Sequence, residues 1–359
     1  MKVFHIITHF ELGGAERVAI NIAKEKRTNI EYHIFEVVKG NSEFTLFLKK
    51  EMENNGIIYH CSPFTNNKIA ICLFWTWFIW YYLKLKPQII HSHTEIPDLA
   101  LWLFRKFAKL FFWIKPHYLR TIHNTELWNK WKHIGNIVES YYNKHNSNIA
   151  ISKSTQEFYL KNYGGTLIPI IYNGIEEIAQ KTFPFLKQEK INILFAGRLE
   201  YQKGINELIS IIKSLRNDKH VFFHIVGNGS MKNKLNQNIK GINNIALYPQ
   251  IYNLSTYLNS FDYLLMPSNY EGLGLMAIEA SLAHTPSIIN KCPGLRETLP
   301  QSWPLAVENN NIDEYIKILK NTISDKQYEA LAQEAYLYAK ENFSIEKMQQ
   351  DYVKIYLNL

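Results

Sequence analysis

Two basic side chains follow a predicted strand near the middle of the chain. The β-branched run 191–196 ends in Gly197, and Arg198 and Lys203 lie in the loop before the next predicted helix. A guanidinium fork and an ammonium group at such a loop can neutralise a diphosphate through charge-assisted hydrogen bonds. Two solvated cations beside a turn are an equally good interpretation of this loop alone.

Two glutamates bracket a second loop of the same half. Glu271 and Glu279 enclose Gly272 and Gly274, after the predicted strand 263–266. Glycines at a helix start leave backbone amides open to oxyanions. A carboxylate beside phosphate would repel it, so the glutamates are better suited to accept hydrogen bonds from sugar hydroxyls. Carboxylates at a helix start also simply stabilise the helix dipole.

A glycine pair follows the first predicted strand. Gly13 and Gly14 let the backbone pass close to a ligand, and the following helix start favours an anion. A Gly-Gly pair is also common in tight turns. The spacing differs from the dinucleotide fingerprint G-x-G-x-x-G, which disfavours a nicotinamide enzyme.

Alternating strands and helices must position these residues. Short β-branched runs alternate with longer helical patterns, which predicts doubly wound parallel α/β sheets. In the first half, strands are predicted at 3–8, 32–38, 57–60 and 88–93, with helices at 15–24, 42–54, 69–84 and 99–114. In the second half, strands are predicted at 191–196, 221–226, 245–248, 263–266 and 287–289, with helices near 204–216, 231–240, 254–260 and 274–283.

The pattern restarts once, which predicts two domains. Residues 173–190 contain Asn-Gly, a proline and several charges, as a linker does. We predict a Rossmann-like domain at 1–172 and a second at 173–343, with ligands in the interdomain cleft at the carboxyl ends of the strands. A chain of 359 residues is long enough for both cores.

The composition excludes a disordered chain. Hydrophobic residues are 47% and charged residues 20% of the sequence, as in packed globular proteins. Three cysteines provide neither a disulfide framework nor a metal clamp, so a reducing compartment fits best. The N-terminus lacks signal-peptide features, and the nearly uncharged run 69–83 is shorter than a membrane span, so we interpret it as a buried or interfacial helix.

The net charge of +8 is concentrated in one stretch. Residues 99–132 carry seven basic side chains and one acidic one. In the predicted helix of this stretch, tryptophans and cations share a face, namely Trp102, Arg105, Lys106, Lys109 and Trp113. Such a face is typical of a helix at a membrane interface, and a solvated basic face is the alternative. No nucleic-acid module is recognisable, so nucleic acid is not an expected partner.

The order of the motifs resembles that of a known enzyme family. The motifs are Gly13-Gly14-Ala15-Glu16-Arg17, Tyr172-Asn173-Gly174-Ile175-Glu176, Gly197-Arg198 with Lys203-Gly204, Val226-Gly227-Asn228-Gly229, and Glu271 with Glu279. This ordered set resembles the family-4 retaining glycosyltransferases with a GT-B fold over essentially the whole chain. The likeness extends to Phe343-Ser344 and the last helix, 344–359, which in the family typically crosses back toward the N-terminal domain.

The resemblance implies a donor site. Arg198 and Lys203 would hold the donor diphosphate and stabilise its charge as it leaves, Glu279 would bind the ribose, and Glu271 would contact the transferred sugar. No metal is expected, because the basic pair replaces the cation. The implied donor-binding residues are Gly14, Gly197, Arg198, Lys203, Glu271, Gly272, Gly274, Leu275 and Glu279.

A histidine of the first domain completes the implied active site. His123 matches the family's active-site histidine, thought to position donor sugar and acceptor, and Gly14 would approach the reaction centre. His91 and His93, at another strand end, are interpreted as structural or rim residues. The implied catalytic residues are His123, Glu271, Arg198 and Lys203.

Two positions depart from the family pattern. His284 stands where a helix-ending glycine is usual, and Pro293-Gly294 replaces a common Gly-Gly pair. Both lie on the donor-sugar side of the expected site, so the motifs do not identify the transferred sugar.

We therefore expect a retaining, metal-independent glycosyltransferase without a further cofactor. Its donor would be a UDP- or GDP-sugar, and its acceptor a glycan such as a polyprenyl-diphosphate-linked intermediate of capsule, O-antigen or exopolysaccharide. We expect it in the cytoplasm, peripheral at the inner face of the cell membrane. A nucleotide-sugar epimerase of the same fold and an inactive membrane-docked assembly component are the alternatives.

Overall fold

The structure, a computed structural model, describes residues 1–11, 13–108, 115–128, 131–321 and 324–359. The chain divides into two compact units. The first comprises Met1–Gly174 and Ile345–Leu359, and the second Ile175–Ser344. The chain thus leaves the first unit two residues after the boundary that the sequence suggests.

The first unit alternates strands and helices. Its elements are β1 (Lys2–Ile7), α1 (Gly14–Ala23), β2 (Glu31–Glu36), α2 (Glu43–Asn54), β3 (Ile58–His60), α3 (Asn67–Leu85), β4 (Ile89–His93), α4 (Glu95–Ala108), β5 (His117–Ile122), α5 (Lys132–Lys144), β6 (Asn148–Ala150) and α6 (Lys153–Tyr163). The described strands form one parallel sheet in the order β3-β2-β1-β4-β5-β6. In a sheet of this order, ligands bind beyond the carboxyl ends of the strands where the order reverses, between β1 and β4.

The second unit repeats this plan. Its elements are β7 (Ile191–Ala196), α7 (Ile205–Ser214), β8 (Val221–Val226), α8 (Lys232–Ile239), β9 (Ile245–Tyr248), β10 (Tyr263–Met266), α9 (Leu275–Leu282), β11 (Ser287–Asn290), β12 (Ala306–Val307), α10 (Ile312–Lys320) and α11 (Asp325–Asn342), and α12 (Ile345–Leu357) then returns to the first unit. Its described strands are parallel in the order β12-β11-β10-β7-β8-β9, so the reversal falls between β7 and β10. The two sheets confirm the predicted doubly wound α/β class.

The sequence prediction leaves several elements out. The predicted helix at 254–260 is a 3-10 helix, and the predicted elements include neither the short strands β6 and β12 nor the helices α5, α6, α10 and α11. Strands of three and two residues carry too little periodicity to be recognised.

Helices cover both faces of the first sheet. On one face, α1 and α12 contribute Val18, Ile22, Met348, Tyr352 and Tyr356 to the core. On the other face, α3 and α4 contribute Phe74, Phe78, Leu101 and Phe104. Strands covered on both sides are nearly continuous apolar runs, as β1 is apart from His5. Strand β4 begins with two isoleucines but ends in His91, Ser92 and His93.

Helix α3 is apolar on all sides, although only one side packs against the sheet. Its first turn is capped by the Asn66 side chain, which accepts from the amides of Lys68 and Ile69. Ile69, Leu73 and Trp80, here called the outer α3 face, are 50%, 40% and 54% exposed. No helix in the described part of the chain is long and apolar enough to cross a membrane.

A buried ion cluster joins β5 to the helices above it. The guanidinium of Arg120, 1% exposed, donates to Asp98 at 3.1 Å and to Glu139 at 2.8 Å. Trp128 and Tyr159 also donate to the Glu139 carboxylate. Burial raises the pKa of Asp98 to about 7, although Arg120 opposes this shift.

Candidate active site

The loop after β7 carries the predicted diphosphate-binding residues. It makes one 3-10 turn at Tyr201–Lys203 and enters α7 through Gly204, whose φ is 70°. A Cβ at Gly204 would lie 1.7 Å from the Pro267 carbonyl oxygen of the loop after β10. Only glycine permits this contact. Gly204 therefore allows the two loops to lie against each other at the carboxyl edge of the sheet.

Lys203 and Glu271 meet between these two loops. Lys203 Nζ lies 2.6 Å from Glu271 Oε1, with the side chains 19% and 6% exposed. Ser268 Oγ donates to the same oxygen at 2.8 Å. The carboxylate is therefore compensated by a cation and a hydroxyl, and the ammonium stays partly open to solvent.

Arg198 is linked to the loop after β10 through the side chain of Gln202. Its guanidinium is exposed and donates to Gln202 Oε1 at 3.0 Å, and Gln202 Nε2 donates to the Tyr270 carbonyl at 3.3 Å. The structure thus places Arg198 and Lys203 on one loop, with Gly197 at its start.

The Val226–Gly229 motif supports this loop from behind. Leu199 donates its amide to Asn228 O at 2.9 Å and accepts from the Met231 amide at 2.9 Å. Glu200 accepts from the amide of Ser230 at 2.7 Å and also from the Ser230 hydroxyl. The hydrogen bond from the hydroxyl, and after it the one from the amide, lowers the pKa of Glu200. The backbone between Gly197 and Lys203 is therefore fixed on both sides.

Helix α9 begins at the predicted anion-binding turn. Gly274 is its N-cap, Gly272 is buried, and the Leu275 amide donates to Leu273 O at 2.8 Å. Glu279 lies one turn beyond Leu275 and is half-buried. The glycines and both predicted glutamates thus belong to one loop-helix unit.

The two departures from the family pattern have local structural reasons. Gly294 has φ 79°, and a Cβ there would lie 2.2 Å from the Glu271 carbonyl oxygen, while the Pro293 carbonyl accepts from the Glu271 amide at 3.2 Å. His284 follows α9 with φ 57° and stacks on Tyr336 with ring centroids 4.2 Å apart. The pair Pro293-Gly294 therefore positions Glu271, and His284 takes the left-handed conformation that favours glycine.

The first unit also collects functional candidates at its carboxyl edge. Gly14 is the exposed first residue of α1, His93 ends β4, and His123 follows β5. Strands β1, β4 and β5 are neighbours in the sheet. The structure therefore brings these three residues to one edge.

His123 is hydrogen-bonded to one other histidine, which is in turn bonded to a third. Its Nε2 lies 3.1 Å from His93 Nδ1, and His93 Nε2 lies 2.9 Å from His5 Nδ1. His91 instead contacts Tyr356 OH at 2.7 Å and a threonine hydroxyl at 2.8 Å. Burial lowers the pKa of His123 and of His5 to about 3. His91 and His93 are fully buried and do not lie at a rim.

Only part of the basic face predicted on α4 is exposed to solvent. The Arg105 guanidinium carbon lies 3.9 Å from the ring centroid of Tyr118 and 4.7 Å from that of Tyr141, whereas Lys106 is exposed with its Nζ 4.7 Å from the ring centroid of Trp102. Arg120, counted in the same basic stretch, is buried in the ion cluster. The positions of Lys109 and Trp113 lie outside the described residues.

Ser268 and His5 are candidates that the sequence analysis misses. Ser268 precedes Glu271 by three residues in the loop after β10, and His5 is a polar residue inside an apolar strand. Ser268 contacts Glu271 within its own loop, whereas only the strand order shows that His5 contacts His93.

Comparison with known proteins assigns this arrangement to a family. Residues 12–177 match the family described as Glycosyltransferase Family 4, and residues 176–340 match Glycosyl transferases group 1. The O-antigen biosynthesis glycosyltransferase WclY of Escherichia coli is 24% identical, with 100% of this chain and 99% of WclY covered. The capsular polysaccharide biosynthesis glycosyltransferase CapH of Staphylococcus aureus is 26% identical over 78% of each chain.

Solved structures agree on the fold. Anabaena Alr3699/HepE, in complex with UDP and glucose, has a TM-score of 0.82 and 19% identity, with 100% of both chains covered. The predicted two-domain GT-B fold is confirmed. The consecutive matches from residue 12 to residue 340 show that this chain belongs to the group 1, family 4 glycosyltransferases.

Proposed function

We propose that this glycosyltransferase moves a sugar from a UDP- or GDP-sugar to a lipid-linked glycan, with retention and without a metal. The observation that carries the donor site is the 2.6 Å pair of Lys203 and Glu271 between two strand-end loops. Its partly exposed ammonium and the nearby Arg198 can bind a diphosphate, and Glu271 can accept from a sugar hydroxyl. Relatives that make O-antigen and capsule support a cell-surface glycan as the product.

Arg198 and Lys203 would assist departure of the diphosphate. Negative charge develops on the leaving phosphate as the glycosidic bond breaks, and fixed cations stabilise that charge without a bound metal. The leaving phosphate then takes the proton of the acceptor hydroxyl, which attacks from the same face. The sugar keeps its anomeric configuration, and Glu279 and Glu271 hold the donor at its ribose and its sugar.

The reaction is tested by determining the anomeric configuration of the bond that is formed. The enzyme is incubated with UDP- and GDP-sugars and an extract of lipid-linked glycans, and proton NMR of the product identifies the new glycosidic bond as α or β. We expect an α-linked product from an α-linked donor, at an unchanged rate in EDTA. A β-linked first product, or a strict need for Mg²⁺ or Mn²⁺, would contradict the proposal. A changed sugar still attached to its nucleotide would instead show an epimerase.

We further propose that the first unit contacts an anionic membrane surface through the outer α3 face. Helix α3 contains no acidic residue, and Lys68 and Lys84 are exposed near its two ends. Phe107 of α4 stacks on Trp75 of α3 and is 42% exposed, next to the exposed Lys106. Exposed tryptophan and leucine side chains edged by lysines suit a lipid interface, where each cation contributes about 1 kcal/mol.

Vesicle binding tests the membrane contact. Replacing Lys68, Lys84 and Lys106 with Glu should release the protein from vesicles of phosphatidylglycerol and phosphatidylethanolamine. The matched control replaces three exposed lysines of the second unit, Lys219, Lys240 and Lys326, by Glu. Equal loss of binding in both variants would show an effect of net charge alone, and no loss in the first would refute this surface.

A further inference from the structure

Three histidine rings form a continuous hydrogen-bonded chain behind the carboxyl edge of the first sheet. His5 Nδ1 lies 2.9 Å from His93 Nε2, and His93 Nδ1 lies 3.1 Å from His123 Nε2. His5 and His93 are fully buried, and His123 is 9% exposed. The chain connects the interior of β1 to the residue expected to contact the sugars.

Burial keeps the three rings neutral, and the tautomer of each neutral ring then determines the tautomer of the next. The pKa of His93 lies well below its ordinary value, as do those of His5 and His123, because all three rings are withdrawn from water. A neutral imidazole has one N–H group and one bare nitrogen. Each ring therefore donates on one side and accepts on the other, and the proton positions along the chain are linked.

His5, at the buried end of the histidine chain, determines the direction in which the hydrogen bonds are donated. His5 Nε2 is buried and has no hydrogen-bond partner in the described part of the chain. A buried N–H group without an acceptor is rarer than a buried acceptor without a donor, so His5 carries its proton on Nδ1. His5 then donates to His93 Nε2, and His93 donates from Nδ1 to His123 Nε2. The proton of His123 is consequently on Nδ1, the nitrogen that does not face His93.

We propose that His93, oriented by His5, is a positioning residue that holds His123 in the Nδ1–H tautomer as a hydrogen-bond donor to the reacting sugars. The proposal rests on the proposed function, in which His123 contacts donor sugar or acceptor. In this tautomer both ring nitrogens are committed, Nε2 as an acceptor from His93 and Nδ1 as a donor. His123 then orients a sugar oxygen and does not take the proton of the acceptor hydroxyl, which is left to the departing phosphate.

His91 provides a control inside the same cluster. It is fully buried and its ring stacks on His93 with centroids 4.4 Å apart, but its nitrogens face Tyr356 and Thr121 and not the chain. One ring nitrogen from each of His5, His91 and His93 also lies within 4.8 Å of the other two, a grouping that could hold a metal ion. Metal binding there would break the hydrogen bonds of the chain, so the two arrangements exclude each other.

Nitrogen NMR of the full chain tests the tautomer directly. With ¹⁵N-labelled histidine, long-range proton–nitrogen correlations distinguish Nδ1–H from Nε2–H in each ring. We expect Nδ1–H for His123 in the wild-type protein and a shift toward Nε2–H, the form that free imidazoles favour in water, in His93→Leu. His93→Asn keeps an N–H near the Nδ1 position and should restore Nδ1–H, and His91→Leu should leave it unchanged.

Turnover then separates positioning from folding. With the nucleotide-sugar that the enzyme turns over, kcat should fall about 10- to 100-fold in His93→Leu, with KM for the donor within about 2-fold, and recover in His93→Asn. Nε2–H on wild-type His123, an unchanged tautomer in His93→Leu, or stoichiometric Zn²⁺ uptake by the wild-type chain would overturn the proposal. If the tautomer shifts as expected but His123→Ala turns over normally, the hydrogen-bonded histidine chain is confirmed and the proposed role of His123 is wrong.

Discussion

Lys203 pairs with Glu271 and, in the proposed donor site, also binds the diphosphate. Its ammonium compensates the nearly buried carboxylate of Glu271, and 19% of its side chain is exposed. Arg198 on the same loop is exposed and bonded to the neutral Gln202. Loss of Lys203 would therefore remove a cation for the diphosphate and also remove the ion pair that offsets the charge of Glu271 beside the donor.

The Lys203→Ala variant should bind UDP about 10- to 100-fold more weakly, because a charged hydrogen bond is lost and a repelling carboxylate remains. Lys203→Ala combined with Glu271→Gln should recover part of this loss. Calorimetric titration with UDP measures both, with Lys213→Ala, an exposed lysine on α7, as control. Equal affinities of the wild-type protein and Lys203→Ala would rule out this donor site.

Gly204 should tolerate no side chain. Gly204→Ala combines a positive φ with a Cβ 1.7 Å from a backbone oxygen, and we expect a loss of more than about 2 kcal/mol in the free energy of unfolding of the second unit. Gly241 has φ 80° and no atom near its Cβ position, so Gly241→Ala should cost only about 1 kcal/mol. Urea unfolding compares them, and equal losses would show that the loop contact is unimportant.

At the scale of elements, strand order determines which residues meet. The pattern of alternation predicts the strands β7 to β11 of the second half almost residue by residue, because buried parallel strands are apolar runs of distinct length. It cannot show that Arg120 is buried, since its partners Asp98 and Glu139 come from two other elements. A charge count therefore assigns to the surface a residue that the fold places in the core.

The ion cluster should be a main source of cohesion between β5, α4 and α5. Arg120→Met leaves two buried carboxylates without their cation and should cost about 3–5 kcal/mol of the free energy of unfolding. The exposed pair Lys291–Glu308 is the control, and Lys291→Met should cost less than about 1 kcal/mol. Urea unfolding followed by tryptophan fluorescence measures both. A loss below 1 kcal/mol in Arg120→Met would refute the importance of the cluster.

At the scale of the whole molecule, the first unit concentrates buried neutral histidines and the second carries the proposed phosphate-binding cations. The sequence motifs point to the proposed donor residues because the glycines and cations lie close together along the chain, and the role of these residues in donor binding stays a prediction. They do not predict the histidine chain, because His5, His93 and His123 come from three strands that only the sheet order makes neighbours. The sequence predicts a buried or interfacial helix at 69–83, but it cannot show which side of α3 stays exposed, because this helix is apolar on every side.

The histidine chain should make the first unit sensitive to acid. Burial lowers the pKa of His5 to about 3, whereas an unfolded histidine titrates near 6.5. Between these values the unfolded chain binds a proton that the native chain refuses, so stability is lost as the pH falls below about 6.5, by up to about 1.4 kcal/mol per pH unit.

Asp98 acts in the opposite direction, because its raised pKa of about 7 lets the native chain keep a proton that the unfolded chain releases. The comparison of wild type with His5→Leu cancels this contribution. Urea unfolding between pH 7 and pH 4.5 should show a shallower decline in His5→Leu. Parallel declines would contradict the neutral state of His5.

Nucleotide binding to the intact chain tests the donor site most directly. A ligand that binds only the native state raises the free energy of unfolding by RT ln(1 + [L]/Kd), about 2.7 kcal/mol at one hundred times Kd. We predict that UDP or GDP raises the melting temperature of the wild-type protein in EDTA, and that Lys203→Ala and Glu279→Ala strongly reduce this rise. No stabilisation by any nucleoside diphosphate, or the same stabilisation in all three proteins, would contradict the account.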